Sequence, residues 1–133
     1  MKRGLAGVAL AVVLIAQTAW AEKPTNWGKP VTKTAVQSGN AADTTLWDPA
    51  ADNAFVLLGC VFSASAVANV ELEVSAVDVV PPIYLPSVGT VTIGFGPFPL
   101  YRSAVDAVLT YTVTQNSNVV SILCTGWEEP SGF

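Results

Sequence analysis

Apolar residues recur at every second position through most of this chain, a period that favours strands and disfavours helices. Val70, Leu72 and Val74 alternate with Asn69, Glu71, Glu73 and Ser75. Val91, Ile93 and Phe95 alternate with Thr90, Thr92 and Gly94. Leu109, Tyr111 and Val113 alternate with Thr110, Thr112 and Thr114, and Val120, Ile122 and Cys124 repeat the phase near the end. Successive strand side chains point to opposite faces, so each run predicts one dry and one wet face. Phe55–Ala64 is nearly all apolar and predicts a strand covered on both faces; its phase groups Cys60 with Leu58 and Phe62. Thr44–Trp47 predicts a short strand ended by Asp48-Pro49, and "QNSN" at 115–118 predicts a hairpin turn between the last two strands. Prolines at 49, 81, 82, 86, 97 and 99 punctuate the series. The expected fold is all-β: a single antiparallel β-sandwich over 43–133, either jelly-roll or immunoglobulin-like. An immunoglobulin domain fits less well, because no Trp lies between the cysteines and Ile122, not Tyr, stands two before Cys124.

Two segments precede the sandwich. Lys2 and Arg3, the uncharged apolar run from Leu5 to Ala16, and Ala19-Trp20-Ala21 form the pattern of a signal peptide over 1–21. The alternative is a retained membrane anchor; the uncharged stretch is shorter than the ~20 residues a span prefers. Residues 22–42 are polar and predict an extended arm. Val31 and Val36 fall on opposite faces of any strand there, against a dedicated donor strand. Removing the first 21 of 133 residues leaves 112, enough for one core. Export makes Cys60 and Cys124 a predicted disulfide.

Charge and residue types narrow the function. The remaining bases are Lys23, Lys29, Lys33 and Arg102, against ten acids, for a net charge of −6. Four scattered bases are too few for a nucleic-acid groove or for anionic lipid headgroups, so neither partner is expected once the signal is cleaved. The chain has no histidine, which removes Ser-His-Asp and Cys-His catalysis and the usual zinc sites. "GFGPFPL" at 94–100 lacks the Lys-Ser/Thr of a P-loop. Asp48, Asp52 and Asn53 offer a weak calcium loop, although loop acids of this kind are ordinarily turn formers.

Glu71 and Glu73 sit two apart on one strand face, roughly 7 Å along the strand, near the spacing of a glycosidase pair. A glycosidase pair flanks its substrate in a cleft, whereas two glutamates on one exposed strand read as a solvated strand face. No catalytic residue, metal ligand or cofactor is therefore assigned, and the chain is not expected to be an enzyme. The proline-stiffened segments "PPIYLP" at 81–86 and "GFGPFPLY" at 94–101 either plug the ends of the sandwich or present a contact surface. The candidate contact residues are Tyr84, Phe98, Tyr101 and Trp127.

"TTLWDPAADNAFVLLGCVFSASA", the later "VELEV" and the closing "VSILCTGWEE" resemble the small all-β virion and tail-associated sandwich proteins of bacterial viruses. The resemblance rests on a Trp-x-Pro-Ala opening (Trp47, Pro49, Ala50) and a Gly-aromatic-Glu close (Gly126, Trp127, Glu128), and covers about residues 44–129. It implies a structural or receptor-facing virion part with no catalytic residues. In a membrane-containing virion the hydrophobic N-terminus would serve as an anchor. The expected function is a non-enzymatic exported subunit of a surface or virion structure that makes protein–protein contacts, including self-assembly. The alternative is a small secreted carbohydrate-binding module.

Overall fold

The computed structural model describes residues 29–86, 88–115 and 119–131. The signal-peptide reading of 1–21, the first part of the arm and the turn residues 116–118 lie outside them. The described chain is all β, in two antiparallel five-stranded sheets. The strands are β1 (Val31–Ser38), β2 (Ala41–Trp47), β3 (Asn53–Ala64), β4 (Ala68–Val74), β5 (Val77–Asp78), β6 (Ile83–Leu85), β7 (Gly89–Gly94), β8 (Tyr101–Arg102), β9 (Leu109–Gln115) and β10 (Val119–Pro130). The first sheet runs β1-β10-β3-β7, with β8 also on β3; the second runs β2-β9-β4-β5, with β6 also on β4. Among the described residues no helix is long and apolar enough to cross a membrane.

Proline explains two of the interruptions. It cannot donate to a strand ladder. Pro81-Pro82 separates β5 from β6, and Pro97 and Pro99 separate β7 from β8. Both members of each pair lie along the same neighbour, so each is one broken strand. Counted so, first pairs with last (β1 with β10), second with the last but one (β2 with β9), and β3 and β4 pair with the two broken strands. This reversed nesting of the two halves is a jelly roll and decides against the immunoglobulin alternative.

Three local expectations are corrected. The arm expected at 22–42 is strand over much of its length: Val31–Ser38 pairs along β10 from Val31↔Gly126 to Ser38↔Val119. Its alternation of half-buried and exposed residues is that of an edge strand, which needs only one covered face and tolerates a valine on each side. The strands β9 and β10, expected to pair as a hairpin across 115–118, belong to different sheets and are not paired with each other. Leu58 is not in phase with Cys60. A bulge shifts the register between Thr125 and Gly126, so that Thr125 faces Gly59 while Gly126 faces Leu57. The extra residue on β3 switches its phase. Phe55 and Leu57 therefore point inward on one side of the bulge, and Cys60 and Phe62 on the other.

The core fills the space between the sheets, with Trp47, Phe55, Phe62, Leu72, Leu85 and Ile122 all fully or almost fully buried. Each such side chain contributes roughly 1.5–3 kcal/mol through removal from water. Cys60 and Cys124 are directly opposed on β3 and β10 and form the expected disulfide, within one sheet and fully buried.

Ser75 and Ala76 join β4 to β5 in a two-residue turn with φ of 52° and 60°. Two positive φ values define the type I′ turn, which prefers Asn-Gly. Ala76→Gly is expected to raise stability by about 0.5–1 kcal/mol, the left-handed penalty of alanine less the entropy cost of glycine. A higher denaturation midpoint at unchanged slope is the result to look for.

Candidate functional site

The register of the first sheet assembles one continuous outer face. Thr34, Leu123, Val61 and Thr92 form one cross-strand row, and Val36, Ser121, Ser63 and Thr90 the next. Thr32, Thr125, Gly59 and Gly94 form the row beyond Thr34. None of these positions is charged, and β-branched residues and hydroxyls dominate, as strand propensity favours. Val36 is 72% exposed and Leu123 41% exposed. At the far end of the same sheet Arg102 pairs with Glu129, whose other oxygen accepts the Trp127 indole N–H at 3.0 Å. The two charges at that end are thus matched to each other.

The second sheet is opposite in character. Its outer face carries Glu71 and Glu73 on β4 and Asp78 on β5, with Glu73 directly across from Asp78. The expectation that both glutamates are solvated is corrected for Glu73, which is 7% exposed, while Glu71 is half-buried. β4 is interior to its sheet, between β9 and the broken β5–β6 strand, and Thr110 and Asp78 flank Glu73. Asp78 is the residue that sequence reasoning missed. Nothing in "VSAVD" is a recognised turn signal, so its return beside Glu73 was not legible.

The four candidate contact residues are not brought into one surface. Tyr84 and Phe98 are 61% and 79% exposed. Tyr101 points inward, its ring 5.8 Å from that of Phe55. Trp127 lies on the other face of that sheet, since Tyr101 opposes Leu57 whereas Trp127 opposes Val56. Tyr84 borders an apolar groove of about 350 Å³ between β6 and β7, also lined by Pro82, Ile83, Val91 and Ile93.

The remaining motifs have structural work. Glu128 accepts the Trp47 indole N–H at 3.0 Å, the Ala50 N–H at 3.3 Å and the Asn53 amide at 3.4 Å. It joins the opening and closing motifs of the sequence and satisfies a fully buried indole. In the "DPAADN" loop Asp52 donates its backbone N–H to Asp106 at 2.7 Å, and its carbonyl accepts from Ser131. Asn53 is held by Glu128, so this loop is tied down by protein partners.

No protein-family model and no curated protein matches the chain. Among solved structures it is similar to the coat protein of tobacco streak virus, at 12% identity and a TM-score of 0.42, over 83% of this chain and 90% of that one.

Proposed function

We propose that this protein is a non-enzymatic structural subunit that assembles with copies of itself through the outer face of the β1-β10-β3-β7 sheet. The observation that carries the reading is the segregation of charge. The whole chain has a net charge of −4, so copies repel one another. The carboxylates of Glu71, Glu73 and Asp78, which have no ion-pair partner among the described residues, lie on the opposite sheet, while the rows around Leu123 carry none. Two molecules that meet there bury Val36 and Leu123 without bringing carboxylates together. Export after cleavage at Ala21, and a place on a cell surface or on a virion, bacterial viruses included, are the setting this reading implies. Binding to nucleic acid or to lipid headgroups has no part in it.

Light scattering on the chain from Glu22 onward tests the proposal. A defined oligomer or polymer is expected. Val36→Lys with Leu123→Lys should weaken association more than about tenfold, because like charges are then forced together. The melting temperature of the variant should stay near that of the wild type, since both positions are exposed. A wild type that remains monomeric up to millimolar concentration would overturn the reading.

A second reading is favoured by the groove beside Tyr84. Apolar walls with few polar groups are the usual build of a small-ligand site. It would make the protein a secreted binding module, with Tyr84 and Phe98 as contact residues. A monomer whose Tyr84→Ala variant loses ligand-induced stabilisation in an oligosaccharide screen would favour this reading over assembly.

A further inference from the structure

We propose that the β4–β5 hairpin binds a calcium ion through the carboxylates of Glu71, Glu73 and Asp78. Glu71 and Glu73 share a face of β4, and the turn at Ser75-Ala76 brings Asp78 directly opposite Glu73. One carboxylate oxygen from each of the three lies within 4.8 Å of the other two. Like charges directly opposed across strands destabilise a sheet. Here a third is added, and the sole ion pair among the described residues, Arg102–Glu129, is on the other sheet.

Glu73 supplies the second, independent observation. It is 7% exposed, and its carboxylate has no hydrogen-bond donor and no cation among the described residues. The hydrogen bond recorded at this residue runs from the Thr110 hydroxyl to the Glu73 backbone carbonyl at 3.3 Å and leaves the side chain unserved. A buried carboxylate without a partner is costly unless it coordinates a metal or is otherwise paired. The side chain is directed into the cluster, with Glu71 half-buried beside it and Asp78 open to solvent.

Donor type and spacing select the ion. Three carboxylates with no histidine anywhere in the chain suit a hard cation rather than zinc or copper. Calcium takes ligands at about 2.3–2.6 Å in flexible geometry, whereas magnesium demands a near-ideal octahedron at about 2.0–2.1 Å. Three carboxylate oxygens within 4.8 Å of one another, fixed by a strand and a turn rather than by an octahedral cage, suit the more tolerant calcium ion. Solvent at the Asp78 side can supply waters to complete six to eight ligands. A site with three protein ligands should be weak, with Kd on the order of 10⁻⁴–10⁻³ M, as in extracellular modules. The inference is independent of the assembly proposal, because it concerns the opposite sheet.

The test is calorimetric titration with calcium chloride, with thermal melts in calcium, magnesium and chelator at matched ionic strength. One calcium per chain and a melting temperature raised by calcium more than by magnesium are expected. Glu73→Gln should abolish the heat of binding and the calcium-dependent rise, and should melt no lower than the wild type in chelator, since it removes repulsion. Asp48→Asn, in the exposed loop, should leave both responses intact. If Glu73→Gln does not fold, Asp78→Asn on the exposed strand provides the same readouts. Absence of calcium binding in the wild type, an equal response to magnesium, or calcium binding retained when Glu73 or Asp78 is neutralised would each overturn the proposal.

Discussion

Replacing Cys60 and Cys124 together by alanine is expected to lower stability by about 4 kcal/mol, the chain-entropy value for a loop of this length. The two residues are 64 apart in sequence. Unbridged, the denatured chain regains the freedom that this closure removes. A domain of this size has a total stability of roughly 5–15 kcal/mol, so the loss takes a large fraction of it. Alanine is the proper replacement: both sulfurs are fully buried, and serine would add an unsatisfied hydroxyl to the cost. Denaturant unfolding of wild type and variant gives the difference directly. The unreduced wild type should also be lighter by two hydrogens than its reduced form. Two alkylatable thiols in the oxidised protein, or a midpoint unchanged in the double variant, would contradict this account.

Gly126→Ala is expected to be comparably severe, about 3 kcal/mol at the upper end of overpacking effects. Gly126 sits at the register shift where β10 crosses the bulge of β3. A Cβ there would overlap the backbone carbonyl of Val56 and stand 3.1 Å from the edge of the Trp47 ring. Neither neighbour can yield easily. Val56 is fully buried in a central strand, and Trp47 is stacked on Phe55 at 5.2 Å and tethered to Glu128. Gly96→Ala is the control, with nothing within 4 Å of the added carbon, and should change stability by less than about 0.5 kcal/mol. Equal effects at the two glycines would remove the bulge from the argument.

The sequence announced some of this plainly. The strands built on strict alternation were legible because a buried face and a wet face write a period of two, as at Leu109, Tyr111 and Val113. The disulfide followed from an even pair of cysteines in a chain read as exported. Strands β5, β6 and β8 were not legible: two or three residues between prolines are too short to show a period. β1 was hidden because an edge strand covered on one face by its sheet accepts threonine, lysine and glutamine as readily as valine. The phase of Leu58 was lost because a bulge inserts one residue without changing composition. The two functional features fared differently. The uncharged face depends on register between four strands, which no single stretch records. Of the acidic cluster, Glu71 and Glu73 were visible, but their company and the burial of Glu73 depend on a turn with no glycine or asparagine in it.

The position of β10 has a consequence for how the molecule is made. This last strand is not an edge: it lies between β1 and β3, and its residues hold the register of both. Until Val119–Pro130 has emerged from the ribosome, β1 has no neighbour in its sheet and Cys60 has no partner. Among the described strands, pairing of the first with the last also closes the longest loop, which makes folding slow. The first sheet and its crosslink are therefore completed only when the whole of β10 is available, so a chain truncated before Val119 can assemble neither the Leu123 row of the outer face nor the Cys60–Cys124 bond.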